Sequence, residues 1–149
     1  MITVERILML REVPLFARMP ADELARIASI SQSVVYSGGE RIFAEGDFGD
    51  RLYVIVEGDV SITLRGRVVS TLRQREYFGE MSLLDGEPRS ATATAATDCL
   101  LLEIRQRDFH EILAHHYEAS LAVIKTLSHR LRVELARGAA AQQAAETGS

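Results

Sequence analysis

The residues best suited to chemistry in this chain lie in residues 77–93, where a carboxylate, an arginine and a hydroxyl occur close together. Gly79 and Glu80 precede a short apolar turn, whose backbone N–H groups can point outward at a helix start and bind an anion. Arg89 follows nine residues after Glu80, and its planar guanidinium suits a phosphate better than the point charge of lysine. Ser90 adds a hydroxyl beside it. Such a set could bind a ligand that carries both hydroxyl groups and a phosphodiester.

A resemblance to a known family begins with residues 78–93, which read FGEMSLLDGEPRSATA. This segment resembles the phosphate-binding cassette of the cyclic nucleotide-binding domain family, found in catabolite-activator-type regulators, kinase regulatory subunits and nucleotide-gated channels. The resemblance continues through the glycine turns and apolar runs of residues 39–58 and covers the chain to about Arg137. It implies a cyclic nucleotide-binding domain over residues 1–137, followed by a flexible tail or linker over residues 138–149.

The resemblance also implies roles for individual residues. Four residues would contact the ribose, with Glu80 accepting a hydrogen bond from a ribose hydroxyl: Gly79, Glu80, Met81 and Ser82. Three residues would hold the cyclic phosphate: Arg89, Ser90 and Ala91. Without the family spacing, Glu80 and Arg89 could instead form a surface ion pair, which would contribute only about 0–1 kcal/mol.

The same resemblance gives less information about which residues would contact the base of the ligand. Ile62 and Leu72 are candidate apolar walls for the base. Arg130 stands where channel-type members carry an arginine that stacks on the purine, a physically reasonable contact. An equally good interpretation makes Arg130 a solvated arginine on a helix face.

Composition limits the class of protein. A chain of 149 residues is long enough for one domain and too short for a second sizeable core. Its formal net charge of −4, with no lysine-rich run, gives no reason to expect a nucleic acid partner. Cys99 is the single cysteine, and a buried thiol fits a reducing compartment. No apolar stretch approaches the ~20 residues of a membrane span, so a cytoplasmic protein is expected.

The hydrophobic pattern divides the chain into helices at both ends and strands between them. Helical periodicity covers residues 3–13 and about 20–29, and it returns at Asp108, a candidate cap, and again over residues 118–137. Between these lie seven short extended runs separated by glycine turns: residues 33–36, 41–44, 51–56, 60–64, 68–72, 91–95 and 99–104. This arrangement predicts an α+β fold, an antiparallel β-roll or jelly-roll barrel flanked by N-terminal and C-terminal helices.

The sequence gives little support for catalysis or for a metal. All four histidines lie in the helical C-terminal part, and none falls at a ligand spacing that also meets a Cys or Glu cluster. The repeated Glu-Gly-Asp triplets at residues 45–47 and 57–59 lack the dense oxygen ligands of a calcium loop. We therefore expect no catalytic residue, no metal and no cofactor, and we do not expect the protein to be an enzyme.

We expect a sensor whose ligand is a cyclic nucleotide, with cyclic AMP favoured over cyclic GMP by the family alone. Ligand binding would shift the C-terminal helix, and an output would detect that shift. Catabolite-activator-type members continue into a helix-turn-helix domain that this sequence lacks, so we expect a stand-alone receiver or a domain fused to another output. The alternative is a module that binds no ligand and dimerises through the C-terminal helix, whose apolar residues also fit a short 3.5-residue seam.

Overall fold

Two four-stranded antiparallel sheets form the centre of the molecule, and helices flank them at both ends of the chain. The computed structural model describes residues 3–147. The helices are α1 (Thr3–Arg11), α2 (Ala21–Ile30), α3 (Ser82–Asp85), α4 (Gln106–His115) and α5 (Tyr117–Thr147). The strands are β1 (Gln32–Tyr36), β2 (Arg41–Phe43), β3 (Arg51–Glu57), β4 (Val60–Leu64), β5 (Arg67–Leu72), β6 (Tyr77–Phe78), β7 (Thr92–Ala95) and β8 (Cys99–Arg105). The predicted α+β roll is confirmed, with two facing sheets and no closed barrel.

The sheets have strand orders β1-β8-β3-β6 and β2-β7-β4-β5. Strand β3 occupies the centre of the first sheet, where Val54 pairs with Leu102 of β8. Successive side chains of a strand point to opposite faces, and here both faces are covered. Leu52 and Val54 pack in the cluster shared with the helices, whereas Tyr53 and Ile55 pack in the cluster between the sheets. This explains why the strand is apolar at every interior position, as its sequence predicts.

The helical layer joins the two ends of the chain. Phe16, in the segment between α1 and α2, and Phe109 of α4 are fully buried. Their rings meet edge to face with centroids 5.6 Å apart, an arrangement that stabilises aromatic pairs beyond their buried area. The N-terminal helices are therefore part of the same core as the sheet. None of the helices described in residues 3–147 is long and apolar enough to cross a membrane.

Two helix boundaries differ from the sequence prediction. Helix α4 begins at Gln106 after the extended residue Arg105, without a side-chain cap, so the predicted capping role of Asp108 is wrong. Helix α5 continues to Thr147 and includes most of the expected tail. Alanine and glutamine favour a helix strongly enough to carry it past Gly138. The end of the domain at residue 137 stays a prediction.

We expect Phe109→Ala to lower the free energy of unfolding by about 3–5 kcal/mol, because it removes a fully buried ring and leaves a cavity. Urea unfolding followed by circular dichroism measures this loss. Phe48→Ala is the matched control, since the Phe48 side chain is 81% exposed and its loss should cost less than about 0.5 kcal/mol. Equal losses in the two variants would contradict the assignment of Phe109 to the core.

Candidate functional site

A cavity of about 440 Å³ opens beside the chain segment that joins β6 to β7. Residues from β2, β4 and β6 form one part of its wall, and the connection that contains α3 forms the rest. The lining residues are Phe43, Ile62, Phe78, Gly79, Met81, Ser82, Asp85, Glu87, Pro88, Arg89, Ser90 and Ala91. The cavity volume is within the range of small-molecule sites, roughly 300–1,000 Å³.

Arg89 is the buried cation of this cavity, with an exposed fraction of 7%. Its Nη1 donates to Ser82 Oγ at 2.8 Å, and its Nη2 donates to the carbonyl oxygen of Arg51 at 2.9 Å. The guanidinium carbon also lies 4.1 Å from the ring centroid of Phe43, close enough for a cation–π contact. These contacts fix the orientation of the guanidinium without neutralising its charge.

No carboxylate forms a salt bridge with Arg89 among residues 3–147, and its buried Nε has no hydrogen-bond partner there. Burial lowers the pKa of Arg89, because desolvation disfavours the charged form; an arginine nevertheless remains protonated in proteins. A buried charge without a counter-charge is costly. An anionic ligand in the cavity would supply the missing charge.

Gly79 allows the arginine to take this position. Its φ is +80°, and a Cβ added there would lie 2.5 Å from the Arg51 carbonyl oxygen and 2.6 Å from Arg89 Nη1. The resemblance implies a ribose contact for this glycine, which stays a prediction. The structure shows a reason within the protein for a glycine here, which is the close approach of the Arg51 backbone and the Arg89 guanidinium. Gly49 also has no space for a side chain, since a Cβ there would lie 2.5 Å from Ser82 Oγ.

The turn after Gly79 uses some of its backbone donors internally. The N–H of Ser82 donates to the carbonyl oxygen of Gly79, and the N–H of Leu83 donates to that of Glu80. The N–H groups of the next two residues donate to the carbonyl oxygen of Met81. In the described part of the chain, the N–H groups of Glu80 and Met81 donate to no backbone carbonyl, so anion binding by the start of this turn stays a prediction. Ser82 contributes its side-chain oxygen to the site.

The Glu80 side chain contacts different elements of the fold from those that the Arg89 side chain contacts. Its carboxylate accepts from Nη2 of Arg130 at 2.8 and 3.0 Å and from the backbone N–H of Leu15 at 3.0 Å. Leu15 lies between α1 and α2, and Arg130 lies on α5. The buried carboxylate therefore joins the segment between β6 and β7 to both helical ends of the chain.

The predicted site residues separate into two groups by position. Seven of them line the cavity: Ile62, Gly79, Met81, Ser82, Arg89, Ser90 and Ala91. Three do not line it: Leu72, which packs against the cluster between the sheets, and the ion pair of Glu80 and Arg130. The ligand contacts expected of all these residues stay predictions. The contributions of Phe43, Gly49 and the Arg51 carbonyl were not predicted. A backbone carbonyl leaves no signal in residue type.

Comparison with known proteins identifies the family. The model described as "Cyclic nucleotide-binding domain" matches residues 33–116, which is more than half of the 149 residues. The chain belongs to the cyclic nucleotide-binding domain family. The matched span includes every residue that lines the Arg89 cavity.

Curated relatives of this cyclic nucleotide-binding domain are longer proteins. A cAMP-dependent protein kinase regulatory subunit of Yarrowia lipolytica is 35% identical over 106 residues, 70% of this chain and 28% of that protein. A cyclic nucleotide-gated potassium channel of Mesorhizobium japonicum is 36% identical over 129 residues, 87% of this chain and 34% of that protein. The chain thus spans about a quarter to a third of these relatives' lengths.

Solved structures share the fold. The N-terminal domain of a transcriptional regulator from Streptomyces coelicolor superposes with a TM-score of 0.80 at 34% identity, covering 85% of this chain and 94% of that one. The regulatory domain of Toxoplasma gondii PKA, crystallised with cAMP, superposes with a TM-score of 0.66 at 23% identity, covering 85% of this chain and 50% of that one. The two-sheet arrangement with flanking helices is therefore the fold of known cyclic nucleotide-binding domains.

The described part of this domain shows no group of three or more His, Cys, Asp or Glu side chains that could hold a metal ion. The charged side chains that line the cavity are Asp85, Glu87 and the buried Arg89. The environment of Arg89 suits recognition of an anion, because a guanidinium offers several donors in a fixed geometry.

We expect Gly79→Ala to destabilise the domain more than Gly66→Ala does. The two glycines have nearly the same φ, +80° and +81°, but a Cβ at Gly66 would meet nothing within 4 Å. Both variants lose about 1–2 kcal/mol to the left-handed conformation, and Gly79→Ala loses roughly 1–3 kcal/mol more to overpacking. Urea unfolding of both variants measures the difference. Equal losses would mean that Arg89 and the Arg51 carbonyl do not constrain residue 79.

Proposed function

We propose that this domain is a non-catalytic sensor that binds cyclic AMP in the Arg89 cavity and transmits binding to α5. The observation that carries this proposal is the buried guanidinium of Arg89, which no carboxylate neutralises among residues 3–147. A cyclic phosphodiester carries a single negative charge and would balance this single cation. No cofactor is needed for such binding.

The cavity walls suit the parts of a nucleotide. We place the cyclic phosphate at Arg89, Ser90 and Ala91, the three residues that line the cavity where its buried charge lies. The ribose would lie toward Gly79 and the backbone of residues 81–82. Ile62 would contact the base from β4, because it offers an apolar surface in the same cavity.

Cyclic AMP is proposed over cyclic GMP because several relatives at 32–42% identity are named cAMP-dependent kinase regulatory subunits. Ser90 could hydrogen-bond to either nucleotide. A cytoplasmic location is proposed because the buried, unpaired Cys99 fits a reducing compartment. The relatives also carry this type of domain within longer chains, so we propose that an output domain receives the signal.

Glu80 is the proposed link between ligand and α5. Its two oxygens already accept from Arg130 and from the N–H of Leu15. A ribose hydroxyl that donates to Glu80 would have to share these oxygens with Arg130 or displace it. Either event changes the free energy that holds α5 in place, which is the differential interaction that a conformational switch requires.

A second candidate function is an interaction module that dimerises through α5. Ile124, Leu131 and Leu135 are 60%, 61% and 65% exposed, and their spacing fits a short seam between two helices. Dimerisation and ligand binding are compatible. This second function therefore replaces the first only if the Arg89 cavity binds no ligand.

We expect Arg89→Ala to weaken cyclic AMP binding by about 2–5 kcal/mol, because the phosphate would enter the cavity without its counter-charge. Isothermal titration calorimetry with cyclic AMP and cyclic GMP measures the affinity. Arg67→Ala is the matched control, since Arg67 is an exposed arginine of β5 outside the cavity, and it should bind like the parent. A parent protein that gives no heat with either nucleotide at high micromolar concentration would favour the interaction module.

We expect Arg130→Ala to loosen α5, because it removes both hydrogen bonds from Arg130 to the buried Glu80 carboxylate. Hydrogen–deuterium exchange should rise in α5 and around Leu15, and the change that cyclic AMP causes in α5 should shrink. Arg137→Ala is the control on the same helix, because its salt bridge with Glu134 is exposed at the surface. If cyclic AMP alters exchange in α5 equally in both variants, Glu80 and Arg130 are not the link.

A further inference from the structure

A positively charged groove lies between α5 and the segment that joins α1 to α2. It has a volume of about 360 Å³ and is lined by Arg18, Ile124, Lys125, Ser128, His129 and Arg132. Arg18 reaches it from the segment that precedes α2, and the other five residues belong to α5. Two separate elements therefore bring basic side chains to one concave surface.

The positive charge of this groove is not neutralised by the protein. The lining contains no aspartate or glutamate. Within residues 3–147, none of Arg18, Lys125, His129 and Arg132 takes part in a salt bridge or a side-chain hydrogen bond. Other arginines of α5 do have such partners, since Arg130 pairs with a glutamate. What distinguishes this group is that three permanent cations, Arg18, Lys125 and Arg132, line the same groove.

The spacing on α5 brings these side chains together. Lys125, His129 and Arg132 stand four and three residues apart, so they follow one another on a single face of the helix. An anion bound there would meet the two permanent cations, Lys125 and Arg132, and the hydroxyl of Ser128 offers it a further hydrogen bond.

We propose that this groove is a second anion site, which takes a small phosphorylated molecule with at least two negative charges. Arg18, Lys125 and Arg132 supply three permanent cations, whereas the Arg89 cavity supplies one. The groove therefore favours a di- or triphosphate group over the singly charged cyclic phosphodiester. Its limited volume and the convergence of cations from two elements suit a compact ligand better than a flat macromolecular surface.

Binding at this groove has a structural consequence. An anion held jointly by Arg18 and by Lys125 or Arg132 would bridge α5 to the segment before α2. It would stabilise the position of α5 in which Arg130 contacts Glu80. The effect on signalling rests on the proposed role of α5, whereas the anion site itself does not.

Calorimetric titration of the full chain with sodium tripolyphosphate tests the proposal. We expect one saturable site per chain in the parent and at least a tenfold weaker affinity in the double variant Lys125→Gln/Arg132→Gln. The matched control is Arg65→Gln/Arg67→Gln, which removes two exposed arginines of the β4–β5 turn region outside the groove and should change affinity less than twofold. Affinity should also fall as salt is raised, because exposed charges are screened. Circular dichroism and thermal unfolding verify that each variant is folded.

Two further titrations separate this site from the nucleotide site and from a lipid surface. Arg89→Ala should bind tripolyphosphate like the parent, even where it loses cyclic AMP, so the two proposals fail independently. Equal loss of affinity in the groove variant and in its control would overturn the anion site. Absence of tripolyphosphate binding by the parent would also overturn it. If the parent instead binds vesicles containing phosphatidylinositol phosphates through Lys125 and Arg132, the groove is a membrane contact.

Discussion

The buried, unneutralised charge of Arg89 is the constraint on which the site depends. Removing an arginine from water without a counter-charge costs several kcal/mol. The protein offsets part of that cost with dipoles and a ring, namely Ser82 Oγ, the Arg51 carbonyl oxygen and Phe43. These groups hold the guanidinium in one orientation but leave its net charge in place. A site prepared in this way is most stable when an anion occupies it.

The surrounding structure can be understood from that requirement. Gly79 has no side chain to displace the guanidinium, and the short turn after it places the Ser82 hydroxyl within reach. The central strand β3 is buried on both faces, which fixes the Arg51 carbonyl at its beginning. The sheets thus support the segment that lines the cavity. The proposed binding depends on that segment, whereas stability depends on the two cores beneath it.

A second feature follows from the direction in which Glu80 points. It lies nine residues before Arg89 in sequence, yet its carboxylate binds Leu15 and Arg130. The cation and the carboxylate of one segment therefore serve different partners. Arg89 faces the cavity, and Glu80 contacts the helices that lie outside the sheets. One short segment, residues 80–89, therefore contacts α5 through Glu80 and lines the cavity with Arg89.

Local patterns predicted much of this structure from sequence. Alternating short runs and glycine turns correctly placed seven of the eight described strands and missed β6, which has only two residues. The family resemblance of residues 78–93 pointed to the segment that lines the cavity. The contact of Glu80 with Arg130 joins residues 50 positions apart, and no local pattern reports such a distance. The acceptor role of the Arg51 carbonyl was equally invisible, because every residue has that group. The length of α5 was underestimated because its last ten residues have no apolar stripe, although their intrinsic helix propensity is high.

A crystal structure of the chain with cyclic AMP tests the central claim most directly. The account predicts one nucleotide in the cavity beside α3, with a phosphate oxygen within hydrogen-bonding distance of the Arg89 guanidinium, about 2.7–2.9 Å. The contacts of Arg89 with Ser82 and the Arg51 carbonyl should persist in that complex. A nucleotide bound elsewhere, or a phosphate in the cavity that does not contact Arg89, would contradict it.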